Sequence, residues 1–274
     1  MLDVSYESGA GELIALNSGV YVGRPNDLFS REWDYKIGYR ALATASRGAR
    51  KVSFKAFFAD MAQADAFRRC ADADMQKGMP GTLRVEGWFQ RCFVVASEVG
   101  GIGGDFFAAK LTLVLLDGVW RKGHTVSFEP FTAQSGDGEF LDLPYDLPYD
   151  LGVPSRQRYF DGPERGDAPL KFIIYGPAVN PAIRIGGNWY KAELTVPEGG
   201  YLVVDPLAVP RSVTLVNMDG STIDVFAKAS RGDGLGSGEY IFQPASPGTQ
   251  EVDWNGSFGF DVTWYEEEGE PAWS

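Results

Sequence analysis

Apolar and polar side chains alternate through much of this chain, and the alternation has a period of two. In residues 51–57 it places Val52, Phe54 and Ala56 on one face of a strand, and 83–87, 89–97 and 106–116 read the same way. One stretch departs from this period. Met61, Ala64, Phe67, Ala71 and Met75 recur at helical spacing, Asp60 with Gln63 makes a capping-box-like start, and Gly78 then Pro80 stop the run. The pattern predicts a single amphipathic α-helix over about residues 60–77. From Leu170 onwards short strands are predicted at 170–175, 182–185, 188–196, 201–204, 212–216, 222–226, 240–242, 251–254 and 258–265. Turn residues separate them, among them Gly186-Gly187-Asn188, Pro197-Glu198-Gly199-Gly200, Met218-Asp219-Gly220 and Pro247-Gly248. Many short strands at close spacing describe a β-sandwich. Ile223 with Val225, and Phe258, Phe260, Val262 and Trp264, supply the apolar faces.

Between the two halves lies a tandem repeat, Leu-Pro-Tyr-Asp-Leu-Pro-Tyr-Asp, at 143–150. Pro144 and Pro148 each fix φ, remove a donor and push the preceding Leu into an extended conformation, so neither a helix nor a central strand runs through. Pro144, Tyr145, Pro148 and Tyr149 are therefore assigned to an inter-domain linker at 143–152, which separates an N-terminal domain (1–142) from a C-terminal one (153–274).

Composition supports this class. With 34 Gly, 16 Pro and 14% aromatic residues the chain favours short strands and tight turns over helices. Its 25 Lys and Arg against 37 Asp and Glu leave a net charge of −12, and no basic cluster of the kind that reads nucleic acid is present. Asp3, Glu7 and Glu12 stand where a secretory signal needs positive charge, and the apolar runs at 13–16 and 113–116 fall far short of a membrane span. The expectation is a protein made and kept soluble in a cytoplasm, without direct nucleic-acid or membrane binding.

Candidate chemistry is sparse. Cys70 and Cys92 are read as two buried thiols, too few for a disulfide framework or a four-ligand zinc site. His124 is the only histidine, which excludes a multi-histidine metal site, and its setting at 121–125 reads as a solvated turn. The Gly100–Gly104 run lacks a following helix and reads as a hairpin tip, while 232–238 lacks the Gly-Lys-Ser/Thr ending of a phosphate loop and reads as a flexible surface loop. Asp142, Asp146 and Asp150 lack the alternating ligands and central Gly of an EF-hand loop. No catalytic, cofactor-binding or metal-binding residue is assigned, and no enzymatic activity is expected.

An ordered series of motifs resembles the C-terminal domain of siphophage distal tail proteins. It comprises Gly176-Pro177-Ala178-Val179-Asn180-Pro181, Ile185-Gly186, Tyr190, Val203-Val204-Asp205, Asp219-Gly220, Val225-Phe226, Gly236-Ser237-Gly238, Ile241-Phe242, Pro247-Gly248, Trp254 and Ser257-Phe258-Gly259-Phe260-Asp261. The Pro-Tyr-Asp repeat and the acidic ending at 265–273 are similar too, although the basic residues usual before the Glu-Pro and the Trp of that ending are absent. In the first half the match is looser, through Arg31-Glu32-Trp33-Asp34-Tyr35, the capped helix, Gly81-Thr82-Leu83 and Val119-Trp120.

The resemblance implies a mainly β chain of two β-sandwich-type domains, the N-terminal one with a single α-helix and the C-terminal one galectin-like. It implies a structural virion protein of the tail tip of a long-tailed phage or prophage, a baseplate hub joining tail tube to tail-tip fibre. Its implied partners are further copies of itself in a homohexameric ring, the tail tube protein, the tape measure, the tail-associated fibre protein and receptor-binding proteins. The alternative is a carbohydrate-binding β-sandwich module for host-surface adhesion, with Trp189, Trp254 and Trp264 as candidate sugar-stacking residues. The linker assignment has a direct check: limited proteolysis should yield two stable fragments cut between roughly Gly136 and Asp167, where Gly- and Pro-rich stretches concentrate nicking. Early cuts scattered through 203–226 would contradict it.

Overall fold

The computed structural model describes residues 3–17, 27–102, 107–131 and 158–272. Pro144, Tyr145, Pro148 and Tyr149 of the expected linker lie outside these residues. The chain is mainly β, with antiparallel sheets and one α-helix among the described residues. It groups into two compact units, 1–122 with 267–274, and 123–266.

The first unit contains β1 (Val4–Glu7), β2 (Leu13–Ala15), β3 (Asp34–Ile37), β4 (Leu42–Ser46), β5 (Arg50–Phe58), α1 (Met61–Lys77), β6 (Gly81–Val85), β7 (Trp88–Ile102) and β8 (Phe107–Leu115). Strand β1 pairs with β2 and β6, β6 with β7, β7 with β8, and β8 with β5. Period-two alternation sends Val52, Phe54, Ala56 and Phe58 of β5 inwards, together with Leu111, Leu113 and Leu115 of β8. Strands β3 and β4 pair only with each other among the described residues.

Helix α1 starts as its sequence dictates. Asp60 Oδ1 accepts from the Gln63 amide at 2.8 Å, Gln63 Oε1 accepts from the Ala59 amide at 2.7 Å, and Gly78 ends the helix at φ 65°. Its inward stripe differs from the expected one. Phe67, Ala71 and Asp74 are buried, whereas Met61 and Met75 are 61% and 46% exposed. Ala64, Phe67 and Ala71 face the core as expected, and the last inward position is taken by Asp74 in place of Met75.

Asp74 is a buried carboxylate with its acceptor sites filled. Tyr6 Oη donates to it at 2.6 Å, the Gly9 amide lies 3.0 and 3.1 Å from its two oxygens, and its own carbonyl accepts from the Met79 amide at 3.0 Å. Burial, then the bond to Asp74, raises the Tyr6 phenol pKa far above the ordinary tyrosine value. The phenol therefore stays a donor. Gly81 lies against Tyr6, where a Cβ would fall 2.3 Å from its hydroxyl oxygen. The Tyr6 ring meets Phe67 edge-on at 5.4 Å, which joins the polar clamp to the core.

Strand β9 (Trp120–Phe128) carries the chain from the first unit into the second. Residues 121–125 are thus strand rather than the solvated turn expected from Gly123 and its polar neighbours. Gly123 serves close approach instead, since a Cβ there would sit 3.3 Å from Thr263 and 3.4 Å from Tyr265.

The second unit continues with β10 (Arg158–Asp161), β11 (Leu170–Tyr175), β12 (Ala178–Val179), β13 (Ala182–Ile185), β14 (Asn188–Lys191), β15 (Thr195–Val196), β16 (Tyr201–Asp205), β17 (Ser212–Val216), β18 (Thr222–Asp224), β19 (Thr249–Asp253) and β20 (Phe260–Glu268). One sheet runs β18-β17-β16-β11-β20 and another β10-β19-β13-β14. Phe172, Leu202, Val204 and Val262 from the first meet Phe160, Ile183, Ile185 and Val252 from the second in one buried cluster. The expected strand at 188–196 is divided into β14 and β15, 222–226 gives way to a short 3-10 turn at Phe226–Lys228, and 240–242 is a turn. Ile223 is half exposed, while Phe258, Phe260, Val262 and Trp264 are all buried as their alternation predicts.

The Asp74 clamp generates a stability prediction. Asp74→Ala strands a buried phenol and a loop amide, and should cost about 3 kcal/mol in urea unfolding, against about 1 kcal/mol for Tyr6→Phe. Equal, negligible losses in both variants would show that the clamp does not hold this unit.

Candidate interaction surfaces

The three candidate stacking tryptophans occupy different environments. Trp254 is in the core: its Nε1 donates to the Phe258 carbonyl at 3.0 Å, and its ring meets Phe128, Phe131 and Phe260 edge-on at 5.0–5.5 Å. Trp264 is also buried, stacked on His124 at 4.2 Å. Neither offers a free face to a sugar. Trp189 is half-buried, with Arg184 and Lys191 at 5.8 and 5.2 Å from its ring and Lys191 bound to Glu239 at 2.9 Å. Strand alternation puts it on the opposite face from buried Asn188 and Tyr190.

His124 Nε2 lies 3.2 Å from Glu266 Oε2, and Thr125 and Thr263 share a hydroxyl bond at 2.8 Å. These contacts tie β9 to β20 within the second unit. Sequence reasoning saw only an isolated histidine, because its partners lie some 140 positions away.

A polar cavity of about 290 Å³ lies among Gly186, Asn188, Tyr190, Gly236, Gln243 and Gln250. Its amides are committed to the fold. Asn188 exchanges bonds with the Tyr240 backbone at 3.1 and 3.2 Å, Gln250 Nε2 donates to the Ser246 and Gly248 carbonyls, and Tyr190 donates to the Gln243 carbonyl at 2.8 Å. Gln243 Oε1 accepts from the Gly236 amide at 2.8 Å, and the Trp189 amide donates to the Gly238 carbonyl at 2.8 Å. The Gly-rich stretch 232–238 is therefore fastened along β14, and its alternating positive φ values at Gly232, Gly234, Gly236 and Gly238 make glycine necessary there.

Among the described residues no group of three or more His, Cys, Asp or Glu side chains converges to hold a metal. Asp142, Asp146 and Asp150 lie outside them. Of the Gly100–Gly104 run, Gly100 and Gly101 belong to β7. Cys92 is buried as expected, but Cys70 is only part-buried, its thiol directed at Glu12 Oε2 at 3.1 Å.

One surface was not singled out from the sequence. The β3–β4 hairpin is exposed at every strand position, and with its flanks it presents Trp33, Tyr35, Ile37, Tyr39 and Leu42 at 44–89% exposure. Arg47 lies over the Trp33 ring at 4.1 Å, and an open groove of about 650 Å³ runs past Arg31, Trp33, Tyr35 and Leu42. The available signal was the alternation Trp33, Tyr35, Ile37, Tyr39, four large side chains at period two with Asp34, Lys36 and Gly38 between.

No protein-family model matches the sequence, and no curated protein matches it. The fold has counterparts among solved structures. A chain of the phage p2 baseplate, in its activated conformation with Sr, is similar over 99% of this chain and 100% of its own, with a TM-score of 0.59 at 10% identity. A chain of the same baseplate in its activated conformation with Ca gives 0.60 with the same coverage and identity. The Dit protein of phage SPP1, described as a paradigm of the hub adsorption apparatus in phages that infect Gram-positive bacteria, is similar over 98% of this chain and 99% of its own, at 10% identity and a TM-score of 0.45. The fold correspondence rests on the first two.

The thiols give a pH prediction. Burial pushes the Cys92 thiol up to about 12, and burial together with the bond to Glu12 pushes Cys70 up to about 11. Both folded values lie above the unfolded one, so the stabilisation is complete below about pH 9 and is lost as pH climbs towards 11–12. Urea midpoints should fall across that window, and alkylation at pH 8 should leave Cys92 unmodified until the chain unfolds. Rapid labelling of both thiols in the folded protein would contradict this.

Proposed function

We propose that this chain is a distal tail protein: a structural, non-enzymatic hub at the tail tip of a long-tailed phage or prophage, joining the tail tube to the tail-tip fibre and receptor-binding parts. The observation that carries the reading is the end-to-end fold correspondence with a chain of the phage p2 baseplate, covering 99% of this chain and 100% of that one. The ordered motifs from Gly176 to Asp261 support it independently of the coordinates. In this reading 1–142 forms the ring-building domain, 143–152 with Pro144, Tyr145, Pro148 and Tyr149 is the linker, and 153–274 is a galectin-like sandwich. Its neighbours are the tail tube protein, the tape measure, the tail-associated fibre protein, receptor-binding proteins and further copies of itself.

The second reading is a carbohydrate-binding module. Only Trp189 favours it, as the candidate ring with an accessible face between two cationic side chains.

Ring assembly connects directly to charge. Six copies, each carrying −12, repel one another at low ionic strength, and salt screens that repulsion over about 10 Å at 0.1 M. Light scattering across a salt series should show a hexamer-sized species that grows with ionic strength, and negative stain should show a ring with a central hole. Saccharide binding by a chain that stays monomeric throughout would favour the second reading.

A further inference from the structure

The first unit exposes large apolar side chains on two different elements. One is the β3–β4 hairpin, an arm that among the described residues pairs with no other strand and shows Tyr35, Ile37 and Leu42 at 60%, 78% and 62% exposure. An isolated two-stranded hairpin is marginal in water, and exposed aromatic and β-branched side chains of this density mark a contact surface. The other is the outer stripe of α1. Met61, Asp65, Arg68, Asp72 and Met75 follow one another at three- and four-residue steps, which places them on one face, and both methionines are exposed. Flexible, polarizable methionine suits a surface that adapts to a partner.

We infer that the arm of one copy docks on the α1 stripe of the next. This rests on the self-assembly proposed above and names the surfaces that would carry it. Charge selects the occupant. Residues 31–47 hold four basic side chains, Arg31, Lys36, Arg40 and Arg47, against Glu32 and Asp34, a local balance of +2 on a chain of −12, so the remainder carries −14. A second copy is thus an acidic partner for a basic, apolar arm, and the stripe itself carries Asp65 and Asp72 against Arg68, with Asp72 between the two methionines where Arg40, in the turn of the hairpin, can meet it. Because arm and stripe are different surfaces, the contact is heterologous and leaves one of each free on every pair, the condition for a ring rather than a closed dimer.

Complementing variants test this. Tyr35→Asp with Ile37→Asp alters the arm alone, and Met61→Asp with Met75→Asp alters the stripe alone; all four side chains are exposed, so circular dichroism and thermal melting should match the parent chain. In light scattering at a salt concentration where the parent assembles, each variant alone should lose association by about thirty-fold or more. Mixed in equal amounts they should form a dimer and nothing larger, since only one intact arm and one intact stripe can meet. Either variant assembling as the parent does, or a mixture that stays monomeric, overturns the inference and leaves the ring standing on other surfaces. A parent chain that is monomeric at every salt and protein concentration overturns ring formation and the inference together.

Discussion

The first unit depends on one buried charge. Asp74 lies on a helix whose other buried side chains are Phe67 and Ala71, and at 4% exposure its carboxyl group has left water almost completely. Such a group is tolerated only when its oxygens are satisfied, and here Tyr6 and the Gly9 amide satisfy them. The consequences spread outwards. The bond fixes β1 against the C-terminal end of α1, closes the turn between β1 and β2, and requires glycine at position 81, where the Tyr6 ring passes against the start of β6. Four elements are positioned by one side chain.

The second unit solves its packing differently. Aromatic rings replace the polar clamp: Phe128, Trp254, Phe258 and Phe260 interlock at centroid distances of 4.9–6.0 Å, and the tryptophan nitrogen finds its acceptor in a carbonyl four residues on. Polar side chains then serve the loops. Asn188, Gln243 and Gln250 are spent on backbone groups of 236–248, so the cavity they line is a seam of the fold rather than a vacant receptor site.

The hub role proposed above would require a chain that holds its own shape while leaving contact surfaces uncovered. The division seen here suits that task. Both cores are closed, whereas large apolar side chains remain outside on the β3–β4 arm and on the outer face of α1. The net charge of −12 opposes association of separate copies at low ionic strength.

Local rules made much of this legible in the sequence. The capping residues Asp60 and Gln63, the glycine stop at 78, and the alternations through 52–56 and 258–264 act within a few residues, and each element appears where they place it. The same locality explains what was missed. Met75 shares the helical spacing of Phe67, yet the inward position at that end of the helix is Asp74, whose partner Tyr6 is 68 positions away, a pairing that no periodicity encodes. Trp254 and Trp264 are indistinguishable in sequence from exposed stacking platforms, and only the neighbours Phe128 and His124 bury them. Residues 121–125 look like a turn until Thr263 and Tyr265 arrive beside Gly123. The chain by itself determined its periods, caps and turns, and so its class, because those are contests between adjacent residues. Which face points inwards, and which apolar side chains are left for a partner, was decided only when distant segments met, because burial is a property of the neighbours.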